Sequence, residues 1–430
     1  MQKDMVPRIF NRNIKLIFVI AAFIIMLIWL YRINIQQRLL IRNTIYTIVI
    51  DAGSTGSRLH VFKLNHDDFE SKKFDIQLVN EELLLKVKPG LSAYSQNPKI
   101  AADSIEPLLI RALEVIPSSY HSYTRLSLKA TAGLRLVSDK IADKILDHIR
   151  DLFKKYPFRI KTETDVAILD GKFEGIYSWL TLNYALKSFE TFSETSICSL
   201  DMGGGSTQVT FIPSQKISNE QNLVSVKIDR TKYNMFAKSF LGFGLMSARL
   251  SIIQNDPINL GAKENRLFSR CIPNGKNFTW SQQGKDFLLS SSIEKNSTSY
   301  ENCSKIVSKT IGDNFEAPPG LESKNIYAFS FYYDRLNNAK LFGDQHGGLI
   351  RIEKIKEAAK LFCNGGYNQN IDSEDKDFGF LCMDLTFIYS ILVHGYGLSD
   401  AKEIFVSNQV NGMEISWALG AAFHMLNQGI

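Results

Sequence analysis

The sequence lacks the short motifs that identify several common enzyme classes. It contains no GxxxxGK[ST] phosphate loop, no GxSxG nucleophile elbow and no CxxC pair. These absences exclude, as first interpretations, a P-loop nucleotide hydrolase, an α/β-hydrolase and a metal centre built on paired cysteines. At 430 residues the chain is still long enough to form two domains around a large core.

Most of the chain also lacks a net charge. The net charge of +6 is carried by residues 1–43, which hold seven basic residues and one acidic residue, so the remainder is neutral overall. The basic character therefore indicates a membrane flank and argues against a nucleic-acid partner.

An uncharged apolar segment lies inside this basic region. It covers residues 16–31 and is bracketed by Lys15 and Arg32. Its length is near the lower limit for a membrane span and is long for the core of a signal peptide. We predict a signal-anchor transmembrane helix over 16–31, with a cytosolic tail over 1–15 and a linker over 32–43. A cleaved signal peptide and a buried helix are the alternatives.

Three glycosylation sequons indicate which side of the membrane the large domain occupies. They begin at Asn277, Asn296 and Asn302 and cluster in one polar stretch. Such a cluster is typical of a surface loop in the secretory lumen. We therefore predict a type II orientation, with the catalytic domain in the lumen.

The five cysteines are too far apart for a CxxC metal site. Cys271, Cys303, Cys363 and Cys382 fall into two local pairs, which suggests disulfides Cys271–Cys303 and Cys363–Cys382. Four cysteines allow three pairings, and the sequence does not choose among them. Cys198 lies in an apolar strand-like run with no adjacent cation, which predicts a buried free thiol.

Strand-like and helix-like segments alternate along the chain. Helical spacing covers 98–116, 139–155, 173–186, 349–362, 380–394 and 413–426, and extended segments cover 44–64, 125–130, 158–168, 326–331 and 403–406. The alternation predicts two α/β lobes, one made of 44–168 plus 411–430 and the other of 169–410. Residues 219–324 are the least regular, and an insertion bearing cysteines and sequons is placed at about 255–324.

Two short loops resemble copies of each other. One reads DAGSTGS from Asp51 and the other reads DMGGGSTQ from Asp201, 150 residues later. Each follows an apolar run and precedes alternating apolar residues, which predicts a strand, a glycine turn and a second strand. A single copy would be read as an ordinary hairpin turn with a capping aspartate. Two copies predict a pair of facing loops.

The composition of both loops suits a phosphate ligand. Glycine lets the backbone approach a ligand closely, and successive N–H groups form an anion site. Hydroxyl donors are supplied by Ser54, Thr55, Ser57, Ser206 and Thr207. The two loop aspartates would repel phosphate, so they are predicted to hold a divalent cation through its water molecules.

Hydrolysis also requires a base that activates water. Glu174, on the first turn of the helix predicted over 173–186, is the candidate, and the alternative is an acid that complements the helix dipole. Ser206 and Gln208 are candidates for orienting the same water, and the alternative is that they are ordinary polar residues at a strand edge. Arg58 and Arg135 are candidates for neutralising phosphoryl charge, with surface salt bridges as the alternative.

Five segments resemble, in order, the five signature regions of a known family. They cover residues 50–58, 129–135, 169–181, 200–210 and 416–422. On these segments the chain is similar to the apyrases, or nucleoside triphosphate diphosphohydrolases. Segments 242–249 and 327–334 look like the branch of Golgi, ER or secreted nucleoside diphosphatases.

The resemblance implies an actin/sugar-kinase/Hsp70-type α/β fold with two ribonuclease-H-like lobes and an active-site cleft between them. It implies Glu174 as catalytic base, Ser206 and Gln208 as residues that position the attacking water, and Asp51 and Asp201 as holders of a hydrated Ca²⁺ or Mg²⁺. The implied phosphate and nucleotide contacts are Ser54, Thr55, Gly56, Ser57, Arg58, Thr131, Gly203, Gly204, Gly205 and Ser206.

The expected activity is hydrolysis of the terminal phosphate of UDP or GDP in the Golgi or ER lumen, with secretion after cleavage as an alternative. A broader apyrase and a nucleotide-binding non-enzyme are the alternative functions. A sugar kinase and an Hsp70-like binder are disfavoured by the predicted lumenal setting and by the lack of residues for another domain. Tyr332 and Tyr333 are expected either to stack on a base or to pack, and 417–420 to pack between helices. The sequence predicts no oligomeric state.

Overall fold

The computed structural model describes residues 19–32, 44–66, 76–191, 194–215, 217, 220–228, 231–259, 265–282, 284–292, 299–312, 315–343, 345–366 and 377–427. The predicted cytosolic tail, nearly all of the predicted linker and the sequon at Asn296 lie outside these ranges.

A five-stranded sheet is built from the first part of the chain. Its order is β3-β2-β1-β4-β5. The pairs β3–β2 and β2–β1 are antiparallel, and β4 and β5 run parallel to β1. The strands are β1 (Thr44–Ala52), β2 (Ser57–His66), β3 (Ile76–Val87), β4 (Arg125–Ala130) and β5 (Val166–Ile168). The central strand β1 is an almost continuous apolar run because both of its faces are covered.

A second sheet repeats this topology and adds an edge strand on each side. Its order is β14-β15-β13-β6-β7-β9-β8. The pairs β6–β7 and β7–β9 are antiparallel, and β13 and β15 run parallel to β6, as β4 and β5 do to β1. The strands are β6 (Ile197–Met202), β7 (Ser206–Phe211), β8 (Leu223–Ile228), β9 (Thr231–Leu241), β13 (Asn325–Ser330), β14 (Gly348–Arg351) and β15 (Glu403–Val406).

Two smaller sheets complete the described strands. A three-stranded sheet contains β10 (Arg266–Ser269), β11 (Asn277–Gln282) and β12 (Lys285–Ser291). A hairpin contains β16 (Gln409–Val410) and β17 (Met413–Glu414).

Helices cover both sheets, and one further helix near the N-terminus has exposed side chains. They are α1 (Val19–Arg32), α2 (Pro98–Asp103), α3 (Glu106–Val115), α4 (Ala132–Arg135), α5 (Asp139–Phe153), α6 (Gly171–Ala185), α7 (Ser188–Thr191), α8 (Leu245–Asn255), α9 (Tyr300–Ile311), α10 (Phe331–Asn338), α11 (Ile352–Cys363), α12 (Leu381–Ser390) and α13 (Trp417–Asn427). Helix α6 packs on β6, β7 and β9 and also against α13, which itself packs on β1. These two helices therefore form a layer shared by the two sheets.

The contact between α6 and α13 depends on a small residue. The Gly420 N–H donates to Thr181 Oγ1 at 2.9 Å. A Cβ atom at position 420 would lie 2.2 Å from the Tyr177 carbonyl oxygen, so glycine is required there. The geometry fits the helix-packing role expected for 417–420.

Four local expectations differ from the structure. The segment 219–324 is more regular than expected, because it contains β9 in the second sheet as well as α8, α9 and the three-stranded sheet. The helix expected over 349–362 begins at Ile352, since the preceding residues pair with β15. The helix expected over 413–426 begins at Trp417, and of the extended segment 158–168 only Val166–Ile168 is a strand.

The predicted disulfides Cys271–Cys303 and Cys363–Cys382 are present in the structure. Cys198 is a buried free thiol. In the region expected as an insertion, Asn277 is exposed at the start of β11 and Asn302 is half-buried on α9.

One helical stretch in the described part of the chain, Phe378–Gly395, is long and apolar enough to cross a membrane. Because 78% of this stretch is buried inside the protein, we interpret it as a core helix. Helix α1, inside the predicted anchor, is a shorter apolar helix with exposed side chains. The anchor and the lobe boundaries at 168/169 and 410/411 stay predictions.

Candidate active site

The two similar loops occupy equivalent positions in the two sheets. The first joins β1 to β2, and the Gly53 N–H donates to the Gly56 carbonyl at 2.9 Å. The second joins β6 to β7, and the Gly203 N–H donates to the Ser206 carbonyl, also at 2.9 Å. Each loop is therefore closed by the same hydrogen bond, and each follows a strand with an aspartate near its end.

The loops face each other at van der Waals distance. A Cβ atom on Gly204 would lie 2.3 Å from Ser54 Oγ, and one on Gly205 would lie 2.7 Å from the Ala132 side chain. Only glycine permits so close an approach of the second loop to the first. The two turns thus form the walls of one cleft.

The cleft has a volume of about 230 Å³ and a mostly polar lining. The predicted site residues that line it are Asp51, Ser54, Thr55, Arg58, Thr131, Glu174, Asp201, Gly203, Gly204, Gly205 and Ser206. Thr207 and Arg135 do not line the cleft, and three of the residues implied by the resemblance also lie outside the lining. Gln208 is buried behind Ser206, Gly56 packs against the Val87 carbonyl, and Ser57 is fully buried. The roles expected for Gly56 and Ser57 as phosphate contacts stay predictions.

Glu174 lies on the first turn of α6 with 6% of its surface exposed. Arg135 donates a hydrogen bond to Glu174 Oε2. The Gln208 amide nitrogen lies 3.3 Å from the same oxygen and 2.7 Å from Ser206 Oγ, so one amide joins the two groups. Gln208 Oε1 is buried and has no hydrogen-bond partner among the described residues.

Burial makes the Glu174 carboxyl a weaker acid than usual. It raises the pKa of Glu174 from its ordinary value to about 8, because a carboxylate loses its hydration in the interior. The negative charges of Asp201 and Asp51 raise the pKa further, while the Arg135 guanidinium lowers it. A carboxyl group with a pKa near neutrality is suited to proton transfer.

The two loop aspartates have different partners. The Asp201 oxygens accept hydrogen bonds from Ser178 Oγ at 2.9 Å and Ser330 Oγ at 2.7 Å. Asp51 Oδ2 accepts from Arg58 at 3.1 Å, whereas Asp51 Oδ1 is buried without a partner among the described residues. A buried carboxylate oxygen left without a donor fits a site for a hard divalent cation.

A family model described as the GDA1/CD39 (nucleoside phosphatase) family matches residues 38–429. The chain belongs to the GDA1/CD39 family. The resemblance to apyrases is thereby confirmed. Among its relatives, nucleoside-diphosphatase uda-1 of Caenorhabditis elegans is 36% identical over 398 residues, covering 89% of this chain and 82% of the relative. Nucleoside diphosphate phosphatase ENTPD5 of Homo sapiens is 32% identical over 389 residues, covering 89% of this chain and 88% of the relative.

Solved structures support the fold of this GDA1/CD39 protein. A crystal structure of nucleoside triphosphate hydrolases from Neospora caninum matches with a TM-score of 0.61 and 15% identity, covering 92% of this chain and 95% of the other. A Ppx/GppA family member from Aquifex aeolicus matches with a TM-score of 0.50 and 13% identity, covering 90% of this chain and 99% of the other. At these identities the likeness shows the fold alone, which is a mixed α/β nucleotide-hydrolase fold.

Two serines of this GDA1/CD39 protein that hold Asp201 were missed by sequence reasoning. Ser178 lies four residues after Glu174, so helical spacing alone would have placed both on one face of α6. Ser330 ends β13, which runs parallel to β6 and pairs Ser330 with Met202. The carboxyl ends of adjacent parallel strands meet at one edge of a sheet, and this rule would have found it.

Of the two roles expected for Tyr332 and Tyr333, stacking on a base or packing, the structure shows packing. Both are buried, and the Tyr332 hydroxyl lies 3.4 Å from Thr207 Oγ1 behind the second loop. Phe331, one residue earlier, lines the cleft together with Trp417. The aromatic surface offered to a ligand is therefore that of Phe331 and Trp417.

Proposed function

We propose that this protein hydrolyses the terminal phosphate of nucleoside diphosphates such as UDP and GDP, releasing phosphate and the nucleoside monophosphate. The observation that carries the proposal is the hydrogen-bonded set of Glu174, Gln208 and Ser206 at the base of two facing glycine loops. The names of the relatives, nucleoside-diphosphatase and nucleoside diphosphate phosphatase, agree with it.

In the proposed reaction Glu174 accepts a proton from water as the water oxygen attacks the terminal phosphorus. Gln208 Oε1, which has no hydrogen-bond partner among the described residues, would accept a hydrogen bond from the O–H that stays on the attacking oxygen, while Ser206 orients the same water. The new bond joins the water oxygen to phosphorus, and the broken bond releases the bridging oxygen with the nucleoside monophosphate. Backbone N–H groups of both loops and the Arg58 guanidinium stabilise charge on the phosphoryl oxygens.

Enzymes of the GDA1/CD39 family depend on a divalent cation. Asp51 and Asp201 are the residues that would hold it, through its water molecules, and we propose Ca²⁺ or Mg²⁺. When bound, such a cation offsets negative charge on the phosphate oxygens and on the two aspartates.

A panel of nucleotides tests this function. The full-length chain is incubated with UDP, GDP, ADP and the corresponding triphosphates, with Mg²⁺ or Ca²⁺, and phosphate release is measured. The proposal predicts the highest kcat/KM for diphosphates. Comparable values for triphosphates would favour the broader apyrase, which the name ectonucleoside triphosphate diphosphohydrolase 5 of another relative also suggests. Binding without phosphate release from any nucleotide would refute hydrolysis.

The pH dependence of kcat/KM should report the pKa of Glu174. Because the base must be ionised, activity rises with pH through that pKa. Arg135 holds the pKa of Glu174 down, so Arg135→Gln should move the acidic limb to higher pH by about one unit. Lys86→Gln, which removes another cation of the cleft that does not contact Glu174, should leave the limb in place. An unmoved limb in Arg135→Gln would show that the limb belongs to another group.

We also propose a lumenal setting with an N-terminal anchor. The support is the exposed apolar helix α1, the two disulfides, and the exposed sequon at Asn277. Digestion of the cell-expressed protein with a glycosidase should lower its apparent mass, and alkaline extraction should leave it in the membrane pellet. A protein of unchanged mass, or one released by alkali, would contradict the corresponding part of the proposal.

A further inference from the structure

Ser330 has a backbone conformation that a serine rarely adopts. Its φ is 60° and its ψ is −129°, which lies outside the left-handed helical region that ends many helices. The other non-glycine residues with positive φ among those described are Lys187, Lys340 and Asn411, and all three are exposed. Ser330 instead lines the cleft. Backbone strain of this kind persists where the surrounding structure requires it.

The strain arises because β13 passes directly into α10. The strand ends at Ser330 and the helix begins at Phe331, with no connecting loop. This sharp turn directs the Ser330 hydroxyl toward Asp201, where it donates to Oδ1 at 2.7 Å. A glycine would adopt the turn without strain but would supply no hydroxyl.

We propose that Ser330 is a positioning residue, which fixes the Asp201 carboxylate for the divalent cation, and that its strained backbone is maintained for this hydroxyl. The inference rests on the proposed role of Asp201. Ser178 supports the other carboxylate oxygen from α6, so Asp201 is held from two different elements. Partners of this type orient metal-binding groups, and their loss weakens metal affinity about 10- to 100-fold.

A second interpretation of the same geometry is nucleophilic catalysis. The serine of α/β-hydrolases occupies a similar strained turn from strand to helix. Here the Ser330 hydroxyl donates a hydrogen bond to the Asp201 carboxylate, and no histidine is among the described residues that line the cleft. A serine nucleophile would require both a base and a covalent phosphoserine.

Ser330→Ala and Ser330→Gly form a matched pair that tests the proposal. Both remove the hydroxyl, but only glycine relieves the strain. We expect both variants of the full chain to bind Mn²⁺, measured by electron paramagnetic resonance without nucleotide, about 10- to 100-fold more weakly than the wild type. We also expect Ser330→Gly to melt about 1–3 °C above Ser330→Ala. The kcat for UDP should fall equally in both, by about 10- to 100-fold.

Unchanged Mn²⁺ affinity in two folded variants would overturn the positioning role. A phosphoserine detected at Ser330 in the wild type, with complete loss of turnover in both variants, would replace it with nucleophilic catalysis. Asp201→Asn separates this inference from the proposed function. If it loses Mn²⁺ while the Ser330 variants retain it, only the Ser330 inference fails. If Asp201→Asn itself keeps full affinity, the proposed cation site fails, and the Ser330 inference fails with it.

Discussion

Replacing Glu174 with glutamine should lower kcat for UDP hydrolysis by about 10³-fold, the contribution expected of a positioned general base. Glutamine keeps an oxygen that accepts from Arg135 and a similar volume, so the cleft should retain its shape. Nucleotide affinity, measured by calorimetry, should therefore remain close to that of the wild type. Glu414→Gln is the matched control, because Glu414 also lines the cleft but lies outside the Glu174–Gln208–Ser206 set.

The same substitution should not destabilise the protein. Burial raises the pKa of Glu174 from 4.5 to about 8, so the folded state disfavours its ionisation. Between these two values the folded chain binds more protons than the unfolded chain, and stability falls as pH rises. A neutral glutamine removes this penalty, so the variant should melt at or above the wild-type temperature at pH 7.5. Full turnover in the glutamine variant, or inactivity that accompanies a collapsed Tm, would contradict the assignment of Glu174 as base.

The predictable part of this site lies in local sequence. Both glycine loops could be recognised because a strand, a glycine turn and a second strand are encoded within about fifteen residues. The similarity of the two copies made each more informative than one alone. Asp51 and Asp201 could be placed for the same reason, since each lies near the end of a strand. The two loops lie at equivalent positions of two separate sheets with the same topology, and packing between the two sheet units brings them face to face.

The unpredicted part depends on contacts between distant segments. Strand β9 was missed within 219–324 because its pairing with β7 is not visible in a local apolar pattern. The strained conformation of Ser330 follows from the packing of β13 beside β6, and Tyr-Ala-Phe-Ser-Phe-Tyr contains no glycine to signal a sharp turn. The burial of Tyr332 likewise depends on Thr207, 125 residues earlier. Tertiary contacts determined all three.

Asp51→Asn should lower kcat/KM for UDP by about 10³-fold, since a bound cation contributes several kcal/mol of charge stabilisation. We expect this loss of activity because one oxygen of Asp51 is placed to hold the cation. Asp51 Oδ2 already accepts from Arg58, so Oδ1, which is buried and has no partner among the described residues, is the oxygen available to the cation shell. Asparagine removes the negative charge while preserving the volume of the side chain.

Thermal melting distinguishes loss of the cation from loss of the fold. A cation that binds only the folded chain raises Tm increasingly as its concentration exceeds its dissociation constant, so the wild type should be stabilised by added Mg²⁺ or Ca²⁺. Asp51→Asn should melt near the wild type without cation, because asparagine keeps the side-chain volume and an oxygen that accepts from Arg58. The variant should then show no rise in Tm when cation is added. Asp334→Asn removes a different carboxylate of the same cleft and should keep the rise. A full cation-dependent rise in Asp51→Asn would mean that Asp51 does not hold the ion, whereas its loss in Asp334→Asn would move the cation site toward α10.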